Sequence, residues 1–205
     1  MLESIDNQRF DVQRRRLLAG GMALAASAWI APVSRAMEAS KRGRSRLVML
    51  GTAGGPTPKA LRAAPAQALV VDGVVHVVDC GNGVARQMAL AGINLGALAN
   101  VFVTHHHSDH NADLGNLLLL AWSGNLTTPV DCWGPPPLAS MRESFLQLND
   151  HDIQTRISDE GRKPLAGLFR AHEISGSGVV IRDASVPATA PSAEHPPVAP
   201  AFAYR

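Results

Sequence analysis

The sequence predicts a layered α/β fold. Short apolar or β-branched runs alternate with helical segments, an order typical of that class. Asp72 and Gly73 join two β-branched runs, residues 67–71 and 74–79, which is a strong hairpin signal because both turn residues accept positive φ. A chain of 205 residues that is 46% hydrophobic is long enough for one domain with its own core.

The other elements follow from local patterns. Further strands are predicted at residues 46–50, 100–104, 130–133, 179–182, 186–190 and 200–204. The runs at 179–182 and 186–190 suggest a second hairpin. Helices are predicted at 84–91, with Gly92 as the C-terminal cap, at 114–122 and at 138–148. Residues 150–168 are polar and give no clear assignment.

Composition excludes several classes of protein. A charged fraction of 18% argues against a wholly disordered chain and against a multi-span membrane protein. Two cysteines are too few for a disulfide framework, although pairing of Cys80 with Cys132 after export stays open. Aromatic residues make up only 4% of the chain, which argues against a stacking platform for single-stranded nucleic acid.

The N-terminus has the pattern of an export signal. Three arginines at 14–16 precede an uncharged stretch, residues 17–34. A candidate cleavage site with small residues at its first and third positions follows at 34–36. The run at 13–18 resembles a twin-arginine signal. We therefore expect a signal peptide over residues 1–36 and a periplasmic or secreted product.

The alternative is a signal anchor that stays in the membrane. Gly20, Gly21 and Pro32 make the uncharged stretch a poor span, so no stable membrane span is expected. The remaining domain, residues 37–205, carries equal numbers of basic and acidic residues. The basic excess therefore belongs to the signal, and nucleic acid is not the expected partner.

A cluster of ionisable side chains follows the predicted strand at 100–104. His105, His107, Asp109 and His110 offer three imidazoles and a carboxylate within six residues, a suitable ligand set for zinc or a similar divalent ion. Alternate side chains of an extended segment face the same way, so His105 and His107 can converge on one ion. Asp109 and His110 can turn toward a second ion, and His106 should point away from both.

These four residues match the His-x-His-x-Asp-His signature, and the sequence resembles the metallo-β-lactamase fold superfamily. The segments 50–56, 78–83 and 134–135 resemble the ribonuclease Z and arylsulfatase-like branch. The resemblance implies an αββα sandwich, of which the first half is present and the second half is largely missing.

The resemblance also implies a fuller metal site. It expects zinc at two positions, with manganese or iron(II) as alternatives, and a third histidine ligand at His195 in the later part of the chain. The resemblance implies that Asp79 is a carboxylate behind the metal loop. An acid that simply ends a strand before a turn is an equally good interpretation of this residue.

One part of the family pattern is absent. The family supplies a bridging aspartate and a final histidine after the third histidine, whereas residues 196–205 contain no acid and no histidine. We therefore expect a C-terminally truncated domain, with an apolar sheet face left uncovered.

Two functions are compatible with this sequence. The first is an exported metal-dependent hydrolase of small phosphodiester or sulfate ester substrates. In it, a metal would make water available as hydroxide for the attack, and Asp109 would orient that water or accept its proton. Export argues against transfer-RNA processing. The second is an inactive truncated fragment that at most binds a metal ion.

Overall fold

The computed structural model describes residues 45–182 and 186–205, so the predicted signal at residues 1–36 lies outside the description. A sheet of six strands forms the centre of the domain, and the strands lie side by side in chain order. From one edge to the other they are β1 (Ser45–Gly51), β2 (Ala66–Val71), β3 (Val74–Val78), β4 (Leu98–Phe102), β5 (Val130–Gly134) and β6 (Phe169–Glu173).

The first three strands form an antiparallel meander, and the last four run parallel. The predicted hairpin between β2 and β3 is confirmed, because Asp72 and Gly73 have φ angles of 48° and 88°. Parallel strands end at the same edge of a sheet. The loops after β3 and β4 therefore begin close together, and this edge carries the chemistry described below.

Six α-helices connect or flank these strands within the described part of the chain, and a short 3₁₀-helix (Leu95–Ala97) precedes β4. The α-helices are α1 (Val84–Leu90), α2 (Ser108–Asn111), α3 (Leu114–Ser123), α4 (Leu138–Leu148), α5 (Asp150–Glu160) and α6 (Leu165–Leu168). The predicted end of α1 is confirmed, since Gly92 has a φ of 66° and follows its last turn.

One face of the sheet carries the main core. Helix α3 buries Leu114, Leu117, Leu118 and Ala121, which recur at helical spacing and so form one apolar stripe. This stripe joins the alternate residues of β1 to β5 that point toward the helices, in a single buried cluster. The core thus fixes the sheet whose edge positions the site.

The C-terminal part consists of two short antiparallel pairs. Strand β7 (Gly178–Ile181) pairs with β8 (Ala188–Ala190), as the sequence predicts. Strand β9 (Ser192–Ala193) pairs with β10 (Ala201–Phe202). The ring of Tyr204, just after β10, packs on Phe102 with ring centroids 4.9 Å apart.

Three features differ from the sequence-based prediction. Strand β4 ends at Phe102, two residues before the predicted end, because the next residues turn into the signature loop. The polar segment after α4 forms α5 and α6. Strand β6, of sequence Phe-Arg-Ala-His-Glu, was not predicted because its polar residues hide the apolar signal of an edge strand.

The face of the sheet opposite the main core is only partly covered. Leu47 and Met49 of β1 are 62% and 55% exposed, whereas Phe102 of β4 is 4% exposed. The expected uncovered apolar face is therefore present at the β1 edge of the sheet, and Tyr204 covers its centre.

Two further expectations concern the cysteines and the membrane. Cys80 and Cys132 are free thiols, and both are buried. Burial, followed by the neighbouring Cys132, raises the pKa of the Cys80 thiol. Within the residues that the structure describes, no helix is both long enough and apolar enough to cross a bilayer.

Candidate metal centre

The signature loop lies at the edge of the sheet where β3 and β4 end. Asp79 directly follows β3, and its backbone N–H donates to the carbonyl of Phe102, the last residue of β4, over 2.8 Å. Asp79 has a φ of 63°, a left-handed conformation that is uncommon for a residue other than glycine. This turn places its carboxylate under the loop that begins at Thr104.

The Asp79 carboxylate is a buried acceptor for that loop. It accepts hydrogen bonds from the backbone N–H of Thr104 at 2.8 Å, from the Thr104 hydroxyl at 3.0 Å, and from Nδ1 of His110 at 2.7 Å. The residue is 6% exposed, and these donors compensate its buried charge. Both interpretations of Asp79 from sequence describe this position, because the residue directly follows the end of β3 and also lies behind the signature loop; its role behind a metal stays a prediction.

These contacts also select the tautomers of two histidines. His110 donates from Nδ1 to Asp79, which leaves Nε2 as a lone-pair donor to a metal. The Thr104 hydroxyl donates its proton to Asp79 and accepts from Nδ1 of His105 at 2.9 Å. His105 therefore also carries its free lone pair on Nε2.

One nitrogen from each of three imidazole rings comes close to the other two in the signature region. Nδ1 of His107 lies 3.1 Å from Nε2 of His105 and 3.1 Å from Nε2 of His195. The potential ligand atoms of these three residues all lie within 4.8 Å of one another. The structure thus brings His195, 88 positions beyond His107 in the chain, to the predicted cluster.

The donor set fits a divalent metal ion. A ring nitrogen of a neutral imidazole offers one proton or one lone pair, so Nδ1 of His107 cannot satisfy both neighbouring nitrogens by hydrogen bonding. A cation among the three resolves this conflict. Two nitrogens on one tetrahedral zinc are about 3.4 Å apart, since each Zn–N bond is about 2.0–2.1 Å long. The spacing of His107 from its two neighbours is close to that value.

Asp109 and His110 lie beside the triad rather than within it. Nε2 of His110 is 3.7 Å from Oδ2 of Asp109, and the rings of His105 and His110 have centroids 4.2 Å apart. Their free ligand atoms could together hold a second ion next to the first, with fewer protein ligands. No additional described residue joins them as a third ligand of that position.

Burial and nearby charges shift the pKa values of His105 and His110 in opposite directions. Burial, then the imidazoles of His110 and His195, lower the pKa of His105 to about 4. Burial alone would lower the pKa of His110 as well, but the hydrogen bond and charge of Asp79, with Asp109, raise it above its ordinary value. His105 is therefore neutral at physiological pH, as a metal ligand must be.

His106 points away from the cluster, as predicted. Its Nε2–H donates to the carbonyl of Pro135 at 2.7 Å, and its Nδ1 accepts from the side-chain amide of Asn111 at 2.9 Å. Both ring nitrogens are therefore used, and the ring ties the signature loop to the turn after β5.

The histidines without a predicted role lie elsewhere. His76 accepts from Asn100 at 3.1 Å within the sheet, and His151 is exposed on α5. His172 contacts Asp131 at 2.6 Å. None of the three belongs to the cluster of potential ligands found among the described residues.

Sequence reasoning assigned no role to Thr104, Asn111 or Tyr204. Thr104 shapes the site through Asp79, and Asn111 holds His106. The Tyr204 hydroxyl donates to the carbonyl of Val103 at 2.9 Å. The position of Thr104 directly before His105 was the one available signal, because the partners of the other two lie far away in the chain.

A cavity of about 590 Å³ lies on the Asp109 side of the signature loop, and the four histidines of the candidate centre are not among the residues that line it. Asp109 and Ser108 line it from the signature loop, and Lys59, Arg62 and Arg86 contribute cationic side chains. Among the described residues, none of these three cations takes part in an ion pair. The cavity therefore offers positive charge next to a potential metal ligand.

Comparisons with known proteins agree with this geometry. The family model described as "Anti-Pycsar protein Apyc1" matches residues 45–175 of the chain. Ribonuclease Z of Mycobacterium marinum is 35% identical over 162 residues, which cover 78% of this chain and 57% of that protein. Ribonuclease Z of a Mycobacterium species is 36% identical over 78% of this chain and 56% of its own length. The chain thus spans a little more than half the length of these curated relatives.

Solved structures show the same fold. Human tRNase Z, short form, superposes with a TM-score of 0.61 at 22% identity, over 77% of this chain and 63% of that one. The metallo-β-lactamase fold protein YhfI from Bacillus subtilis superposes with a TM-score of 0.55 at 19% identity, over 78% and 57% of the two chains. A diphosphatase of the PhnP family gives 0.52 at 16% identity, over 79% and 62%.

The family model covers more than half of the chain, and the structural neighbours share the fold that positions the histidines. The relatives named ribonuclease Z match across the same segment. This chain therefore belongs to the Anti-Pycsar protein Apyc1 family, in the ribonuclease Z-like branch of the metallo-β-lactamase fold.

Proposed function

We propose that this protein is an exported, metal-dependent hydrolase of phosphodiesters. The observation that carries the proposal is the convergence of His105, His107 and His195. A cavity with cationic residues in its wall, which Asp109 of the same loop also lines, supports an anionic substrate. Membership of a fold family of metal-dependent hydrolases supports the reaction class.

The proposed metal ligands fall into two groups. His105, His107 and His195 would hold one divalent ion, and Asp109 with His110 would contribute to a second. Zinc suits this nitrogen-rich set best, and manganese or iron(II) are the alternatives. When bound, such an ion supplies Lewis acidity, which lowers the pKa of a coordinated water from about 15.7 to about 7.

The protein's own residues would then bind and orient the reactants. Asp109 lines both the metal cluster and the cavity, so its carboxylate can accept a proton from an attacking water or hold that water in line. Lys59, Arg62 and Arg86 would attract an anionic diester into the cavity. A volume of about 590 Å³ suits a substrate of nucleotide size.

RNA is the competing substrate class. The absence of net charge from residues 37–205 predicted that nucleic acid is not a partner, but the similarity to proteins named ribonuclease Z makes RNA a candidate substrate. The same phosphodiester chemistry applies to both substrates. A structured RNA therefore belongs beside the small diester in any assay.

The full chain, loaded with zinc, should hydrolyse bis-p-nitrophenyl phosphate. p-Nitrophenyl sulfate provides the contrast, because the sequence also predicts sulfate esters as substrates, whereas the relatives are named for action on RNA. His107→Ala should abolish turnover, whereas His151→Ala, which removes an exposed histidine from α5, should leave it unchanged.

The same assay tests the alternative of an inactive fragment. A protein that binds zinc, loses that zinc on His107→Ala and yet turns over no diester would support the fragment hypothesis. Turnover that disappears with His107→Ala and persists with His151→Ala would reject it.

The charge of the cavity can be tested separately. Arg86→Ala should raise KM for the anionic diester with a smaller effect on kcat, because the arginine lines the cavity without belonging to the metal cluster. An effect on kcat alone would contradict a role in substrate attraction.

Export by a twin-arginine signal is part of the proposal and has its own test. Replacement of Arg14 and Arg15 by lysine should retain the full chain in the cytoplasm, because the pathway reads the arginine pair. Unchanged recovery from the periplasm would contradict it.

A further inference from the structure

Tyr204 connects the C-terminal segment to the ends of two central strands. Its hydroxyl donates to the carbonyl of Val103 at 2.9 Å, with the carbonyl of Trp133 as a longer contact at 3.4 Å. Its ring packs on Phe102. Val103 is fully buried and lies two residues before His105, so the tyrosine is anchored at the base of the signature loop.

His195 depends on a short two-stranded segment. It lies in the connection between β9 and β10, which pair Ala193 with Ala201 and Ser192 with Phe202; backbone hydrogen bonds continue this pairing from Ala203 to Pro191 and between Arg205 and Thr189. A two-stranded ribbon of this length is marginally stable on its own. His195 itself is exposed, so little local packing holds its ring next to His107.

The fixed points of this hairpin lie at its base. The backbone N–H of Phe202 donates to the carbonyl of Thr104 at 2.9 Å, and that of Ala203 donates to Pro191 at 3.0 Å. Tyr204 follows directly, and among the described residues its hydroxyl supplies the side-chain hydrogen bonds between this base and the central strands. Loss of this anchor would leave the backbone bond of Phe202 to hold the hairpin, and so would weaken its docking and that of the third histidine.

We propose that Tyr204 is a positioning residue for metal binding, which acts by docking the β9–β10 hairpin and thereby holding His195 in the ligand cluster. A ligand that is docked for only a fraction of the time lowers the apparent affinity by that fraction. The proposal concerns metal affinity, so it stands whether or not the loaded protein hydrolyses phosphodiesters.

The test is a double-mutant cycle with zinc as the probe. Zinc affinity is measured by competition with a chromophoric chelator for the full chain and for Tyr204→Ala, His195→Ala and the double variant. Tyr204→Ala should weaken zinc binding roughly 3- to 10-fold, the range of one net hydrogen bond and its packing. In the His195→Ala background, the same substitution should cause no further loss.

Two results would overturn the proposal. One is an equal loss of zinc affinity in both backgrounds, which would mean that Tyr204 supports the fold in general. The other is no loss in either. Tyr204→Phe, which keeps the ring on Phe102, follows the same cycle with a smaller loss and decides the matter if Tyr204→Ala does not fold.

Hydrogen exchange supplies a readout without metal. The amides of Phe202 and Ala203 should exchange faster in Tyr204→Phe, while those of β3 and β4 keep their protection. Thr155→Val is the matched control, because it removes a hydroxyl that donates to a backbone carbonyl within α5. It should change neither zinc affinity nor exchange at the hairpin, and unchanged exchange in Tyr204→Phe would contradict the anchoring role.

Discussion

Asp79 and His110 are joined by a hydrogen bond of 2.7 Å, from Nδ1 of the imidazole to Oδ2 of the carboxylate. Through Thr104 the same carboxylate also governs the ring of His105. One buried acid at the end of β3 thus sets the orientation of histidines on both sides of the proposed centre.

Asp79→Asn should weaken zinc binding roughly 10- to 100-fold, the usual cost when the group behind a ligating histidine is lost. An amide cannot accept from Thr104 and His110 at both of its heavy atoms, so one histidine loses its orientation. Chelator competition measures the change. Asp159→Asn, on an exposed position of α5, is the control, and equal affinities for the two variants would refute the role of Asp79.

His106→Ala should lower the free energy of unfolding by about 1–3 kcal/mol, because it removes one hydrogen bond to Pro135 and one from Asn111. Its zinc affinity should stay close to that of the parent protein, since both ring nitrogens face away from the cluster. Urea unfolding measures the first quantity and chelator competition the second. A loss of zinc with unchanged stability would be the opposite of this expectation.

Gly81→Ala should disturb the signature loop, because residue 81 packs against its backbone. A Cβ at this position would lie 2.3 Å from the backbone oxygen of Asp109 and 2.9 Å from that of Pro65, and backbone atoms cannot move aside cheaply. We expect a loss of about 1–3 kcal/mol in the free energy of unfolding and a lower zinc content, because the signature loop must shift.

Gly167→Ala is the control for this substitution, since a Cβ there would meet nothing within 4 Å. Thermal unfolding and elemental analysis of both variants give the comparison. If Gly81→Ala behaved like the control, the close approach of the two loops would not matter for the site.

The buried hydroxyl of Tyr204 should make the free energy of unfolding decrease in alkaline solution. Burial, with a smaller effect from the charge of Asp79, raises the pKa of its hydroxyl above the ordinary value. In the unfolded chain the hydroxyl ionises at about pH 10, whereas the folded chain keeps it neutral to higher pH. Its contribution is therefore complete below about pH 10 and is lost as the pH rises toward the folded pKa.

Tyr204→Phe isolates this effect, because Tyr204 is the one tyrosine in the sequence. Urea unfolding of both proteins between about pH 9 and 11 should show a steeper decline for the parent protein. Parallel declines would mean that the hydroxyl is not buried in solution.

The sequence predicted the elements whose signals are local. Asp72 and Gly73 specified the β2–β3 turn, and the apolar stripe of α3 specified its buried face. The signature residues were recognised from residue type and spacing, because three imidazoles and a carboxylate lie within six residues and an extended segment brings His105 and His107 to one side. Strand β6 was not predicted, because Arg170 and Glu173 interrupt its apolar residues at the edge of the sheet.

The rest of the site depends on contacts that spacing cannot reveal. His195 was suggested by resemblance to the family, since no local pattern relates it to His107. The contact of Asp79 with Thr104 depends on the pairing of β3 with β4, which the residues around Asp79 do not reveal. Tyr204 could not be found, because its partner Val103 lies 101 residues earlier.

The long sequence distance between His107 and His195 also links metal binding to folding. An unfolded chain offers His105 and His107 as neighbours, but it presents His195 only after a loop of 88 residues has closed. Zinc should therefore bind the native state in preference to the unfolded one, and about 2.7 kcal/mol of added stability is expected when free zinc exceeds its dissociation constant 100-fold. A cell that supplies the metal would thus lengthen the lifetime of this protein against proteases as well as complete its candidate site.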